Sequence, residues 1–274
     1  MDRCRQLLAA LAFATAATAS AQPATTQGKV MVTWLGQSSF RIVSPGGKVI
    51  VTDPWLRPNP LTPPEYKQLD KFGRIDVLLV SHGHADHIAD APALAERYDT
   101  PIIAPGGLNQ TLLTLGVLPS KLLPRMNKGG TVTPVPGIRI TAVHAEHSSE
   151  FVWRNPASDK DETHVGGEPV GWIIEFENGF RIYFAGDTAL FGDMRLIGER
   201  YHPDLALVPI GGHFTMDPKD AAWAVTQMVK PRVVIPMHYG VNPLAKGTAK
   251  EFVEAMGDSV IKSVVAVPGT ALEF

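Results

Sequence analysis

Short apolar runs, broken by glycine, proline and asparagine, recur along most of the chain. Lys29–Leu35, Ser39–Val43 and Lys48–Thr52 are rich in β-formers and are separated by Gly36-Gln37-Ser38 and by Ser44–Gly47, which predicts a strand meander. Asp76–Val80 is a continuous apolar run of the length of a buried strand. Beyond it the pattern predicts helix over Ala91–Tyr98, strand over Pro101–Ala104 and helix over Gly107–Leu115, stopped by Gly116. After a turn at Asn127–Thr131, Ile138–Val143 is a strand running into His144–His147.

The second half repeats this order. Val170–Glu177 and Phe180–Phe184 flank Asn178-Gly179, a strong hairpin signal. Leu190–Tyr201 is helix-like, Leu205–Pro209 is a strand, and Asp217–Val229 opens with Asp217 as N-cap and Pro218 at the first helical position. Arg232–Pro236 is a strand, Ala249–Met256 a helix and Ser263–Val267 a last strand. Strands lead each half and helices follow, which fits an α/β (α+β) domain of two facing sheets with helices outside and no internal linker. Two stretches break the pattern. Arg57–Pro64 holds four prolines in eight residues and is expected to be a surface loop rimming a site. Glu150–Glu168 is polar, with Trp153, Asp159, Asp161 and His164, and is expected to be a flexible loop or lid.

The first 21 residues do not fit the fold pattern. Arg3 and Arg5 precede the Ala/Leu-rich run Leu7–Ala19, and Ala19-Ser20-Ala21 is a small-x-small cleavage pattern. The run is shorter than the ~20 residues of a membrane span, so cleavage is expected rather than anchoring. The expectation is a signal peptide over 1–21, a mature domain over 22–274, an exported protein that is periplasmic or secreted, and no stable membrane insertion. Cys4 is the only cysteine and would leave with the peptide, excluding disulfides, thiolate ligands and a cysteine nucleophile from the mature chain. Net charge is −2 and no basic stripe occurs, which argues against a nucleic-acid partner. Nothing in the sequence sets an oligomeric state.

The chemistry concentrates in Ser81–His87, which reads Ser-His-Gly-His-Ala-Asp-His. His82 and His84, two apart, project from one side of an extended strand end, while Asp86 and His87 follow a turn and face a second point. That is a ligand pattern for two neighbouring divalent ions, since imidazole and carboxylate suit zinc and related metals.

His-x-His-x-Asp-His resembles the signature of the metallo-β-lactamase superfamily, and the resemblance extends over nearly all of the mature chain. Ala185–Phe191 and Pro209–Met216 are similar to a branch of mostly uncharacterised metal-dependent hydrolases distantly related to ascorbate-6-phosphate lactonase. The resemblance implies a four-layer αββα sandwich of the metallo-β-lactamase type. It also implies three further ligands at strand ends: His147, Asp187 and His238. His82, His84 and His147 would then hold one ion, Asp86, His87 and His238 the other, and Asp187 would bridge them. Zn2+ is the expected metal, with Mn2+, Fe2+ or Ni2+ as alternatives. The implied activity is hydrolysis of a small ester, lactone, amide or phosphodiester by hydroxide activated between the two metals, with Asp86 also moving a proton. The competing class is a metal-binding or redox protein on the same fold, as in flavodiiron relatives. Those carry an acidic residue where this chain has His84.

Three more residues are candidates for supporting or substrate-facing roles. Asp53 is expected either to accept the outer N–H of a ligand histidine or simply to form a strand-ending Asp-Pro turn. His213 is either a substrate contact or a polar loop residue. His144 continues the strand before His147 and is expected to be a buried or supporting imidazole rather than a ligand. Thr215 and Asp217 are read as helix caps. Ser38 and Ser39 have no histidine nearby in sequence to activate them as nucleophiles.

Overall fold

A computed structural model describes residues 28–274; the expected signal peptide lies outside the described residues. The meander forms as β1 (Met31–Gly36), β2 (Ser39–Val43) and β3 (Val49–Thr52), followed by β4 (Val77–Leu79). Then come α1 (Ala85–Ile88), α2 (Ala91–Tyr98), β5 (Ile102–Pro105), α3 (Gly106–Thr114) and β6 (Arg125–Met126). β7 (Thr131–Val135), β8 (Ile138–His144), β9 (Glu150–Asn155), β10 (Lys160–Val165), β11 (Val170–Glu175) and β12 (Arg181–Phe184) follow. The chain closes with α4 (Met194–Tyr201), β13 (Leu205–Pro209), α5 (Pro218–Trp223), β14 (Val233–Met237), α6 (Ala249–Met256), β15 (Lys262–Ser263) and β16 (Ala271–Glu273).

Two seven-stranded sheets result, in the orders β16-β1-β2-β3-β4-β5-β6 and β15-β14-β13-β12-β11-β8-β7. Each is half antiparallel and half parallel; β3, β4, β5 and β6 run parallel in the first, and β12, β13, β14 and β15 in the second. Period-two alternation explains why the sheets stack. Val77 and Leu79 of β4 point into the same apolar layer as Trp172, Phe184, Leu207 and Ile235 of the second sheet. Leu78 and Val80 turn the other way, onto Leu94, Leu108 and Leu112 of α2 and α3. Ala206, Val208 and Tyr183 of the second sheet likewise turn onto Ile197, Val225 and Phe252. The layers are helix, sheet, sheet, helix: the expected αββα sandwich. No helix among the described residues is long and apolar enough to cross a membrane.

Of the two residues read as caps, Asp217 caps α5 and Thr215 does not, its Oγ1 donating to Met216 O; the cap at Thr248 was not foreseen. Asp217 accepts from the N–H groups of Lys219 and Asp220, and Thr248 with Glu251 forms a capping box on α6. The helix opened by Pro218 widens to π geometry over Ala224–Val229. Two expectations are corrected. Glu150–Glu168 is largely a regular β9–β10 hairpin rather than a loop, because Phe151 and Trp153 alternate inward onto the first sheet's outer core. Arg154 meanwhile bonds Asp159 and Asp161 across the turn. Arg57–Pro64 does not rim the cleft described below: Asn59 and Thr62 are buried, and Thr62 Oγ1 donates to Leu35 O at 2.7 Å.

Candidate metal centre

The strands deliver their C-terminal loops to one place. β4 ends before Ser81, and His84 caps α1 in extended backbone, so the short helix carries Asp86 and His87. The β8 loop brings His147, zipped to the β12 loop by Glu146 N–H donating to Thr188 Oγ1 at 3.0 Å and Ala189 N–H to Glu146 O at 2.9 Å. Asp187 follows Gly186, whose φ of +64° and close approach to Val170 O leave no room for a side chain. His238 follows β14 at φ +56°, its N–H donating to Gln37 O. Asp53 (+38°) and Gln37 (+52°) also sit at positive φ, so strained backbone gathers around one point.

The donor atoms form three close sets, one of them, Asp53, His82 and His87, fully buried. Those of His82, His84 and His147 lie within 4.8 Å of one another, and so do those of Asp86, His87 and His238. Asp187 reaches both: its Oδ2 is 3.0 Å from His238 Nε2, 3.3 Å from His87 Nε2 and 3.7 Å from His147 Nε2. His82 Nε2 and His84 Nδ1 face each other at 2.9 Å. His87 Nε2 and Asp187 Oδ1 are buried without a hydrogen-bond partner among the described residues. Buried orphaned donors of nitrogen and oxygen type, converging from separate loops, suit divalent cations.

A second ring of contacts orients these imidazoles. Asp53 is fully buried and accepts from His87 Nδ1 at 2.7 Å, from Ser81 N–H at 2.7 Å and from Ser81 Oγ at 2.6 Å. Ser81 Oγ also lies 2.9 Å from His82 Nδ1, and with its own proton on Asp53 it accepts there. Both Nδ1 atoms are thereby occupied and both Nε2 atoms turn to the centre. On the open side, Glu150 accepts from His84 Nε2 at 2.8 Å, leaving Nδ1 for the centre. Gln37 Nε2 donates to Asp86 Oδ2 and touches His238 Nε2, both at 2.9 Å.

Charge differs between the two groups. Burial lowers His82 well below the usual imidazole range, helped by neighbouring His87, and burial also lowers His147; both carry free lone pairs at neutral pH. Burial opposes charge on His87 and His238 as well, but Asp187 and other carboxylates override it, raising His87 well above its ordinary value and His238 to about 9. Burial would push Asp86 and Asp187 up, yet the facing imidazoles His87 and His238 hold both below the carboxylate range. Asp53 is raised, burial outweighing His87 and Ser81. The Glu150 carboxyl is lowered by its bonds from His84 and Ser148. The carboxylates of the second group thus draw in positive charge, and an incoming cation there must displace protons.

A cleft of about 640 Å³ opens over the centre, lined by Gln37, His84, Asp86, His147, Asp187 and His238 and, further out, by Trp55, Ser148, Phe214 and Val241–Pro243. His144 is corrected, and of the two readings of His213 the polar loop residue is the one the structure fits. His144 meets no residue of either donor group: at the end of β8, its Nε2 faces Glu146 Oε2 and its Nδ1 faces Lys128 Nζ, both at 3.1 Å. His213 is exposed at φ +60° and packs edge-on against Phe214; its neighbour, not it, enters the cleft. Sequence reasoning assigned no role to Gln37, Ser81, Glu150, Trp55 or Phe214. Ser81, directly before His82, was the one with a local signal.

Residues 48–239 match the beta-lactamase superfamily domain. The chain is 62% identical, over 98% of each chain, to a "UPF0173 metal-dependent hydrolase" of Polaromonas sp.. It is 53% identical to one of Polynucleobacter asymbioticus, over 98% of this chain and 95% of that one. Among solved structures it is similar to a metallo hydrolase from the hyperthermophilic archaeon Ignicoccus hospitalis, with a TM-score of 0.76 and 33% identity over 90% of this chain and 98% of the other.

Proposed function

The chain belongs to the beta-lactamase superfamily, among its UPF0173 metal-dependent hydrolases, and on that premise we propose that it works as a dinuclear enzyme on a small substrate. His82, His84 and His147 would hold one ion, Asp86, His87 and His238 the second, and Asp187 would serve both. The observation that carries this reading is Asp187 Oδ2, within 3.0–3.7 Å of ring nitrogens from both groups. Zinc is the metal the all-nitrogen-and-oxygen donor set favours, given its prevalence on histidine-rich hydrolytic sites. Bound there, the ions would supply Lewis-acid activation of water and of a substrate oxygen at neutral pH.

The protein's own groups account for the rest. Asp53 and Ser81 fix the tautomers of His87 and His82. Gln37 pins Asp86 Oδ2, while Oδ1 takes no hydrogen bond from the described residues in a side chain that is 34% exposed to the cleft. Asp86 is therefore placed to accept a proton at Oδ1 and hand it to a leaving group. Asp86→Asn tests this role. The amide keeps the shape and can still offer an oxygen to metal, but it cannot take a proton, so kcat should fall by at least the ~100-fold typical of a lost acid–base group. Metal content at the His82–His84–His147 group should hold. Equal losses of metal and turnover would remove Asp86 from proton transfer.

A further inference from the structure

The outer cleft carries information about the substrate that the metal ligands do not. This inference rests on the hydrolase reading above and narrows it. Past the donor atoms, the lining turns apolar: Trp55, Phe214, Val241 and Pro243 come from the loops after β3, β13 and β14. Phe214, 44% exposed, stands at the mouth of this cleft. The backbone of Trp55 is held in place, its main-chain N–H donating to Ser39 Oγ at 3.1 Å and to Asp53 O at 2.9 Å. The remaining outer positions, Ser148 and Asn242, are polar but uncharged.

Among the described residues, no lysine or arginine lines this cleft. Lys128 faces a separate cavity beside Gly107 and Gly167, where it pairs with Glu168 at 3.1 Å and meets His144. Sites built for phosphoryl groups usually place guanidinium or ammonium donors on the oxygens. Here an anionic substituent on the rim would lose water against Trp55 and Phe214 without gaining a cationic side chain. The volume, about 640 Å³, falls within the range of small-molecule sites.

We propose that the substrate is an uncharged carboxylic ester or lactone whose apolar acyl portion seats on Trp55, Phe214, Val241 and Pro243. In its hydrolysis the water oxygen bonds to the carbonyl carbon and the acyl–oxygen bond breaks. One water proton ends on the departing alcohol oxygen; the other is released as the product acid ionises at neutral pH.

The test is a matched series on the full mature protein with its metal in place: p-nitrophenyl acetate, butyrate and octanoate, beside bis(p-nitrophenyl) phosphate. Each methylene seated on an apolar wall should raise kcat/KM about fourfold, or roughly sixteenfold from acetate to butyrate. The phosphodiester should be the poorest substrate. Phe214→Ser should lower the octanoate-to-acetate ratio of kcat/KM by at least about fivefold. Val241→Asn should lower the same ratio and guards against a folding defect in either variant. Phosphodiester turnover above that of every ester, a flat chain-length series, or an unchanged ratio in both variants overturns the proposal while leaving the hydrolase reading intact. Absence of turnover on all four compounds by metal-loaded protein overturns both.

Discussion

Replacing Asp53 with asparagine isolates the ring of contacts behind the metal ligands, because it changes charge and hydrogen-bond direction without changing shape. The carboxylate accepts three bonds of 2.6–2.7 Å, from His87 Nδ1, Ser81 N–H and Ser81 Oγ. An amide cannot accept all three. If its oxygen stays on Ser81 N–H, its NH2 faces Ser81 Oγ and His87 Nδ1. His87 must then present a lone pair at Nδ1 and carry its proton on Nε2, the atom 3.3 Å from Asp187. Ser81 must reverse, which moves the His82 proton to Nε2 as well. Both histidines then point an N–H where a lone pair is required. If the amide turns the other way, its NH2 meets Ser81 N–H, two buried donors facing each other at a cost of about 1–3 kcal/mol. Loss of such an outer partner weakens metal binding by about 10–100-fold, or about 1.4–2.8 kcal/mol at 1.4 kcal/mol per tenfold. A chelator-competition titration with zinc measures it directly, with circular dichroism to verify the fold. Folded Asp53→Asn protein binding zinc within twofold of the unaltered protein would refute the tautomer argument.

Two further outcomes are expected. His147→Ala should empty the His82–His84–His147 group and abolish turnover, whereas His144→Ala should keep its metal and most of its activity, since His144 faces Glu146 and Lys128; inverted metal contents would exchange their roles. The second concerns pH. After chelator treatment, His238 contributes stability through Asp187 and Asp86, which overcome burial and raise it to about 9. A group raised above its unfolded value stabilises fully below about pH 6.5, and that contribution is lost as pH rises through about 9. Melting temperature of the stripped protein should therefore fall between pH 7 and 10, while zinc affinity rises over the same range as protons leave the ligands. A stripped protein with flat melting temperature across that window would contradict the sign.

The fold was legible where strands are buried on both faces or packed on one. Ala91–Tyr98, Leu205–Pro209 and Ala249–Met256 form with the predicted bounds because their apolar spacing is clear, and Ala249–Met256 is also capped by Thr248. β7 and β16 were not legible: both lie at sheet edges, largely exposed, and β7 contains Pro134, so neither shows an alternating apolar face. The β9–β10 hairpin was missed because only Phe151 and Trp153 mark its inner side. At the centre, His82–His87 is local and could be read from spacing. His147, Asp187 and His238 are dispersed, and only a family resemblance brought them together. Gln37 escaped because its partners, Asp86 and His238, lie 49 and 201 residues away, a pairing that spacing along the chain cannot reveal.

The claim on which the rest depends is that Asp187 joins two metal sites. Native mass spectrometry of the purified full chain, paired with elemental analysis and activity on the same sample, tests it most directly. The account predicts two divalent ions per active chain, with Asp187→Ala retaining one at most. Fully active protein carrying a single ion per chain would contradict it.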